Sequence, residues 1–120
     1  MAKTLEQQRA AHAWMAAEHY QRDELNIAKG LPALIMNSGL MQVLAFCNQK
    51  GGAHDTVSRQ LRGWLAERFP KTLPDAGFEA VMTRLMNLDN PRDYQAITTE
   101  AFAWLKWLRQ MAAARVKTEA

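Results

Sequence analysis

Apolar residues recur with a helical period in almost every segment of this chain, and this pattern limits its possible folds more than any other feature. No segment shows the strict alternation that predicts a half-buried strand. We therefore predict an all-α fold. Because 120 residues suit one domain, we expect residues 1–120 to form a compact single-domain bundle of about six helices, the last of them long. The clearest example of the helical spacing is given by Val57, Leu61, Trp64, Leu65 and Phe69.

Three helices are expected in the N-terminal half. Thr4 followed by Gln7 resembles a capping box and opens a first helix over residues 5–20. Pro32 predicts an interruption of the second helix, because proline fits only the first turn without loss of a hydrogen bond. Ser38 is a candidate N-cap for a third, strongly apolar helix. The predicted apolar side of the first helix consists of Leu5, Ala10, Ala13, Trp14, Ala17 and Tyr20.

The C-terminal half is expected to hold the other helices. Asp55 or Thr56 is the expected cap of a fourth helix, which is followed by a short fifth one. Asn90 as cap and Pro91 at the first helical position predict the start of the last helix, which extends to about Ala114. Its predicted inner stripe consists of Tyr94, Ile97, Ala101, Trp104, Leu105, Leu108 and Ala112.

The stretch NQKGGAHDT, residues 48–56, resembles the start of the phosphate-binding loop of ParA-type ATPases. Such a loop needs a strand before it, a helix after it and a lysine directly ahead of a serine or threonine. Here the preceding segment has a helical period, and Asp55 precedes Thr56. A carboxylate at this place would repel a triphosphate, so we predict that the loop does not bind a nucleotide.

Residue types that support catalysis or metal binding are few. His12 and His19 lie two turns apart, about 10.5 Å along a helix, which is too far for one zinc ion. We expect these two histidines and His54 to be exposed. Cys47 lies on an apolar face, which is typical of a buried structural thiol, and Glu100 is interpreted as a polar residue on the surface of the last helix. We predict a protein that is not an enzyme and that uses no metal, cofactor or small-molecule substrate.

The formal charge of +3 is distributed unevenly. Residues 50–71 carry five basic side chains against two acidic ones, and residues 102–117 carry four basic side chains and no acidic one. Basic surfaces attract polyanions, nucleic acid first among them, although a solvated basic surface without a ligand is the alternative. From predicted exposure and charge, the candidates for contact with an RNA backbone are Lys29, Lys50, Arg59, Arg62, Lys106 and Arg109.

Aromatic residues of the last helix extend beyond its inner stripe. Phe102 and Trp107 fall on opposite flanks of that stripe, and a helix that is apolar over so wide a face is either deeply buried or covered by another chain. We therefore predict that Phe102 and Trp107 lie at a subunit interface. Because most aromatic residues have core spacing, they are not interpreted as base-stacking platforms.

The sequence also bears on the compartment. The N-terminal stretch MAKTLEQQRA is polar and lacks the apolar region of a signal peptide, and no apolar run is long enough to span a bilayer. One cysteine excludes an intramolecular disulfide framework and fits a reducing environment. We expect a cytoplasmic protein.

Two long stretches resemble the small helical subunit of the type III-B CRISPR (Cmr) effector complex. KGLPALIMNSGLMQVLAFCNQK, residues 29–50, is similar to its central signature, with a Leu-Pro-Ala-Leu run, a helix break at Asn and Gly, and a Leu-Ala-Phe run. YQAITTEAFAWLKWLRQMAAA, residues 94–114, is similar to its C-terminal helix. The opening LEQQRAAHAW also fits, so the agreement in order and spacing covers nearly the whole chain.

The resemblance implies a helical subunit without enzymatic activity, whose copies stack in a filament beside the backbone subunits and line the groove where guide and target RNA pair. Its implied partners are the other Cmr subunits, further copies of itself, guide RNA and target RNA. The resemblance does not specify which basic residues contact RNA. The alternatives are a helical protein–protein adaptor without RNA contact, and a small subunit of a type I or type III-A complex.

Overall fold

The computed structural model describes residues 2–116, which form six α-helices and contain no strand. The all-α fold, the six helices and the long C-terminal helix are therefore confirmed. The helices are α1 (Leu5–Ala16), α2 (Arg22–Ser38), α3 (Leu40–Lys50), α4 (Gly52–Arg68), α5 (Phe78–Met86) and α6 (Pro91–Arg115).

The core is built around α6, which packs against α1, α2 and α4. Trp104, Leu105 and Leu108 are completely buried, and all of the predicted inner stripe is buried except the half-buried Tyr94. The helix begins as predicted, because the side-chain oxygen of Asn90 accepts a hydrogen bond of 2.9 Å from the backbone N–H of Arg92. The flank of α6 that carries Ala103 and Trp107 forms a wall of a groove beside α1.

Helix α1 begins as predicted and ends earlier than predicted. Its capping box is confirmed, with the Gln7 N–H 3.1 Å from the Thr4 hydroxyl and the Thr4 N–H 2.8 Å from the Gln7 amide oxygen. The helix ends at Ala16, whose carbonyl accepts a hydrogen bond of 2.9 Å from the amide of Gln60 on α4. The Tyr20 hydroxyl donates to the same amide group of Gln60 at 2.6 Å. A tertiary contact therefore provides a hydrogen-bond partner for a carbonyl group at the end of α1, where the chain changes direction.

Trp14 does not lie on the buried face of α1, contrary to the prediction. The small residues Ala13 and Ala17 face the core, which allows α1 to approach its neighbours closely, and Trp14 remains 44% exposed. The guanidinium of Arg115 lies 4.2 Å from the centre of the Trp14 ring, and its Nη1 donates to the Trp14 carbonyl at 3.0 Å. Trp14 thus joins the ends of α1 and α6 from the outside.

Helix α2 continues through Pro32, so the predicted interruption is wrong. Proline removes the hydrogen bond to the carbonyl four residues earlier, that of Ala28. The helix is nevertheless continuous because its buried residues Leu25, Ala28, Leu31 and Ile35 share one face, and burial of that face offsets the loss of one hydrogen bond.

The break between α2 and α3 occurs at Gly39, where φ is 86° and ψ is 158°, a conformation that is accessible essentially only to glycine. Ser38 is the last residue of α2 rather than the predicted cap of α3. A backbone N–H group at the N-terminus of α3 instead has its hydrogen-bond partner on another helix: the N–H of Met41 donates to the Tyr94 hydroxyl of α6 at 3.2 Å.

The glycine-rich loop is shorter than the sequence suggested. Helix α4 begins at Gly52, directly after Gly51, which has a φ of 71°. Asp55 lies in the first turn of the helix, so the prediction that Asp55 or Thr56 caps it is wrong. The segment before the glycines is the helix α3, as predicted.

Candidate nucleic-acid and subunit interfaces

Glu100 of α6 is a buried carboxylate that joins three helices. Its two oxygens accept hydrogen bonds of 2.6 Å and 2.8 Å from the Arg9 guanidinium of α1, and Oε2 also accepts one of 3.1 Å from Trp64 Nε1 of α4. Arg68 Nε lies 3.6 Å from Oε1. Because the side chain is only 4% exposed, the interpretation of Glu100 as a polar surface residue is wrong.

Burial raises the pKa of the Glu100 carboxyl, but this effect is outweighed by the hydrogen bonds from Arg9 and Trp64 and by the positive charges of Arg9 and Arg68. The pKa is therefore lower than its ordinary value. Glu100 is an ionised member of an ion-pair cluster, and its role in this arrangement is to hold α1, α4 and α6 together.

His12 belongs to the same region, so the prediction that it is exposed is wrong. Its Nδ1 accepts a hydrogen bond of 3.0 Å from Trp104 Nε1, its Nε2 lies 3.6 Å from a Glu67 oxygen, and its ring centre is 5.1 Å from that of Trp64. Burial lowers the pKa of His12, while Glu67 acts in the opposite direction. Because Nδ1 accepts from a tryptophan, which can only donate, this nitrogen carries no proton. His19 is exposed as predicted.

Cys47 is buried, as predicted. Burial, together with the charge of Asp55, raises the pKa of its thiol to about 11, which keeps it in the unreactive protonated form. Within residues 2–116, no group of three or more histidine, cysteine or acidic side chains is placed to hold a metal ion. The roles of Glu100, His12 and Cys47 are thus structural, and the surface remains the place to look for binding.

Four of the predicted RNA contacts are exposed cations. Lys29, Lys50, Lys106 and Arg109 are exposed, and none of them lies within 4.0 Å of a carboxylate of residues 2–116. Arg59 is also exposed, with its Nη2 3.7 Å from an oxygen of Asp55. An exposed pair of this kind is weak and leaves the arginine accessible to another anion.

Arg62 is buried, contrary to the predicted exposure. Its side chain is only 4% exposed because α5 covers this side of α4, with the guanidinium 5.6 Å from the centre of the Phe78 ring. Its Nη2 lies 3.9 Å from an Asp55 oxygen, and its Nε and Nη1 have no hydrogen-bond partner in the described structure. Burial lowers the pKa of this guanidinium, while Asp55 acts in the opposite direction. A phosphate cannot reach Arg62 in this conformation.

Two of the exposed cations line grooves. Helices α2 and α3 form an antiparallel hairpin, and a groove at its open end is lined by Asp23 and Asn26 of α2 and by Lys50 and His54. Lys29 is not part of this lining but follows Asn26 by three residues and lies on the same side of α2. Lys106 lines a second groove, between α1 and α6, and Arg109 lies outside it. The sequence could not predict this division because it depends on helix packing.

An apolar surface adjoins the Lys50 groove, since the ring centre of Phe46 lies 5.5 Å from that of His54. Leu34 of α2 and Phe46 of α3 are exposed and line one groove, and Met86 of α5, which is 64% exposed, lines a neighbouring one. We define the hairpin apolar surface as Leu34, Met41, Gln42, Phe46, Met82 and Met86, with Gln42 shared by both grooves. Sequence reasoning missed this surface, although Leu34 and Phe46 lie off the buried face of their own helices, which is a detectable signal.

The two residues predicted at a subunit interface are both half-buried and pack against the core. Trp107 lines the α1–α6 groove together with Lys106. Within the described residues, no helix is both long enough and apolar enough to cross a membrane.

The fold defines a class of protein: a small all-helical domain whose described surface includes exposed apolar side chains and cations with no carboxylate of residues 2–116 within 4.0 Å. The chain belongs to the family of CRISPR-associated proteins described as Cas_Cmr5, whose family model matches residues 5–115. This confirms the assignment made from the sequence, to the small helical subunit of the type III-B Cmr effector complex, and implies partnership with other Cmr subunits.

A solved structure agrees with this assignment at the level of the fold. The chain is similar to a CRISPR-associated Cmr5 family protein from Thermus thermophilus, determined by X-ray crystallography, with a TM-score of 0.76 and 22% sequence identity. The similarity covers 96% of this chain and 100% of that one.

Proposed function

We propose that this protein is the non-catalytic small subunit of a type III-B effector complex, and that it lines the groove of guide and target RNA through its basic residues. The observation that carries the proposal is a set of exposed cations with no carboxylate of residues 2–116 within 4.0 Å: Lys29, Lys50, Lys106 and Arg109. Such side chains contact phosphates and position a nucleic acid without reading its sequence. Arg59 is a weaker candidate because it is paired with Asp55.

The proposed absence of catalysis is supported by the structural environment of the buried titratable groups. Glu100 is neutralised by two arginines, the Nδ1 of His12 is occupied by Trp104, and burial keeps the Cys47 thiol protonated. Each of these groups is committed to a structural contact. A cytoplasmic location is part of the same proposal.

Stacking of copies in a filament beside the backbone subunits is the second part of the proposal. The hairpin apolar surface offers an exposed apolar contact area, and Phe102 adds a further half-buried aromatic residue on α6. The apolar surface adjoins the Lys50 groove, because the ring centre of Phe46 lies 5.5 Å from that of His54. A neighbouring subunit bound to the apolar surface would therefore lie next to RNA held in the Lys50 groove.

A helical adaptor that binds only proteins is the competing function, and the same apolar surface favours it. Charge reversal separates the two. The double variant Lys29→Glu/Lys50→Glu is expected to weaken binding of single-stranded RNA at least tenfold, by loss of two phosphate contacts. The control Lys71→Glu/Arg84→Glu changes two exposed basic residues outside the predicted set and makes the same change in net charge. Equal effects of the two double variants, or no RNA binding by the unmodified protein, would support the adaptor.

A further inference from the structure

The groove between α1 and α6 differs from the hairpin apolar surface in its chemistry. It has a volume of about 350 Å³, which is large enough to admit a small organic group. Trp107 is half-buried in its wall, and Ala103, four residues earlier on the same side of α6, leaves open space beside the ring. The lining consists of Glu6, Arg9, Ala103, Lys106, Trp107 and Gln110.

The charges around the groove favour an anionic ligand. Arg9 is fixed in position, because its Nε and Nη2 bind Glu100, and its Nη1 is not used in that pair. The charge of Glu100 is shared with Arg68, so this cluster of two arginines and one carboxylate is positive as a whole. Lys106 adds a cation without a carboxylate within 4.0 Å in residues 2–116. Among the described lining residues, Glu6 is the acidic one.

We propose that the α1–α6 groove binds one nucleotide unit of single-stranded RNA, with its base stacked on Trp107 and its phosphate held by Lys106 and the Nη1 of Arg9, which both line the groove. This inference rests on the proposed RNA-lining function and adds a base contact to it. Stacking on an aromatic ring is tolerant of sequence because every base has a π-face. The amide of Gln110 offers both a donor and an acceptor to the edge of the base.

The polar lining distinguishes this assignment from the protein contact predicted for Trp107. A neighbouring apolar side chain would leave Lys106, Gln110 and the free Nη1 of Arg9 without partners in a covered groove, and buried polar groups without partners destabilise an interface. A nucleotide supplies acceptors for all three groups. Phe102, which does not line this groove, remains a candidate for the protein interface.

The test compares a normal RNA oligonucleotide with one of the same length that carries abasic sites, because both present the same phosphates. Affinity is measured for the full-length protein and for Trp107→Leu and Trp107→Phe. We expect Trp107→Leu to weaken binding of the normal oligonucleotide about tenfold, the effect of losing one stacked base. It should leave binding of the abasic oligonucleotide unchanged, and Trp107→Phe should restore most of the loss. Trp14→Leu, which changes an exposed tryptophan outside the groove, is the matched control.

The outcomes separate this inference from the proposed function. Salt-dependent RNA binding that Trp107→Leu does not change would overturn the nucleotide groove and leave the phosphate contacts standing. If Trp107→Leu weakened assembly with other Cmr subunits and not RNA binding, Trp107 would belong to a protein interface instead. Equal losses of affinity for both oligonucleotides would contradict a base contact. Thermal melting and the Trp107→Phe variant would then show whether the loss comes from general unfolding. No RNA binding by the unmodified protein at low salt would overturn both proposals.

Discussion

The carboxylate of Glu100 and the guanidinium of Arg9 face each other through two hydrogen bonds, of 2.6 Å and 2.8 Å, although the residues are 91 positions apart in the chain. The pair joins the first helix to the last one. Both helices form the α1–α6 groove, so the position of this groove depends on a buried ion pair rather than on a local sequence motif.

Removal of the Glu100 charge should destabilise the fold. Glu100→Gln leaves the partly buried guanidinium of Arg9 without its counter-ion, and breaking a buried ion pair in this way lowers the free energy of unfolding by about 3–5 kcal/mol. Urea denaturation measures the change. The matched control Arg59→Gln breaks the more exposed ion pair with Asp55 and should change the free energy of unfolding by less than about 1 kcal/mol. Similar losses in the two variants would contradict the structural role of Glu100.

Acidification should destabilise the protein through His12 before it affects Glu100. The pKa of His12 is lower in the folded protein than its ordinary value of 6.5, so the unfolded chain takes up the proton first as the pH falls. The stability present above about pH 6.5 is therefore lost progressively below it. The pKa of Glu100 is also lowered, from 4.5, and its contribution disappears only at more acidic pH.

The variant His12→Asn tests this assignment, because asparagine keeps an acceptor for Trp104 and does not titrate. Its free energy of unfolding should fall less than that of the unmodified protein between about pH 7 and pH 5. A pH dependence of the variant that equals that of the unmodified protein would contradict the described contact of His12 with Trp104.

Alanine at two glycines should have opposite effects. Gly39 has a φ of 86° and a ψ of 158°, so Gly39→Ala should lower the free energy of unfolding by about 1–3 kcal/mol through backbone strain. Gly30 lies inside α2, and a Cβ added there meets no atom within 4 Å. Gly30→Ala should therefore raise stability by about 0.5–1 kcal/mol. Thermal melting of both variants checks the signs, and stabilisation by Gly39→Ala would contradict the described joint between α2 and α3.

Local sequence patterns predicted the helices well because each helix has a periodic apolar face and most have recognisable ends. The capping box at Thr4 and the start of α6 at Asn90 depend on residues only two or three positions away. The predictions that failed depend on contacts between distant helices. Pro32 stays inside a helix because its neighbours are buried, and the cap of α3 comes from Tyr94, 53 residues later.

The same distinction applies to the candidate sites. Exposure of single cations such as Lys29 and Arg109 could be predicted, because lysine and arginine are rarely buried. Arg62 is the exception because α5 covers it. The connection between α4 and α5 is irregular, and no local pattern predicted its course. The position of cations in grooves depends on the way helices meet, for which the sequence carries no local signal, whereas the hairpin apolar surface was partly detectable from Leu34 and Phe46, which lie off the buried faces of their helices.

The proposed contact between this subunit and RNA is tested most directly by its affinity for single-stranded RNA as a function of salt concentration. If Lys29, Lys50, Lys106 and Arg109 each neutralise a phosphate, the logarithm of the association constant should fall against the logarithm of salt concentration with a slope of about −3. The Lys29→Gln/Lys50→Gln variant should reduce that slope to about half. A slope near zero in the unmodified protein, or one that the double variant does not change, would contradict the account.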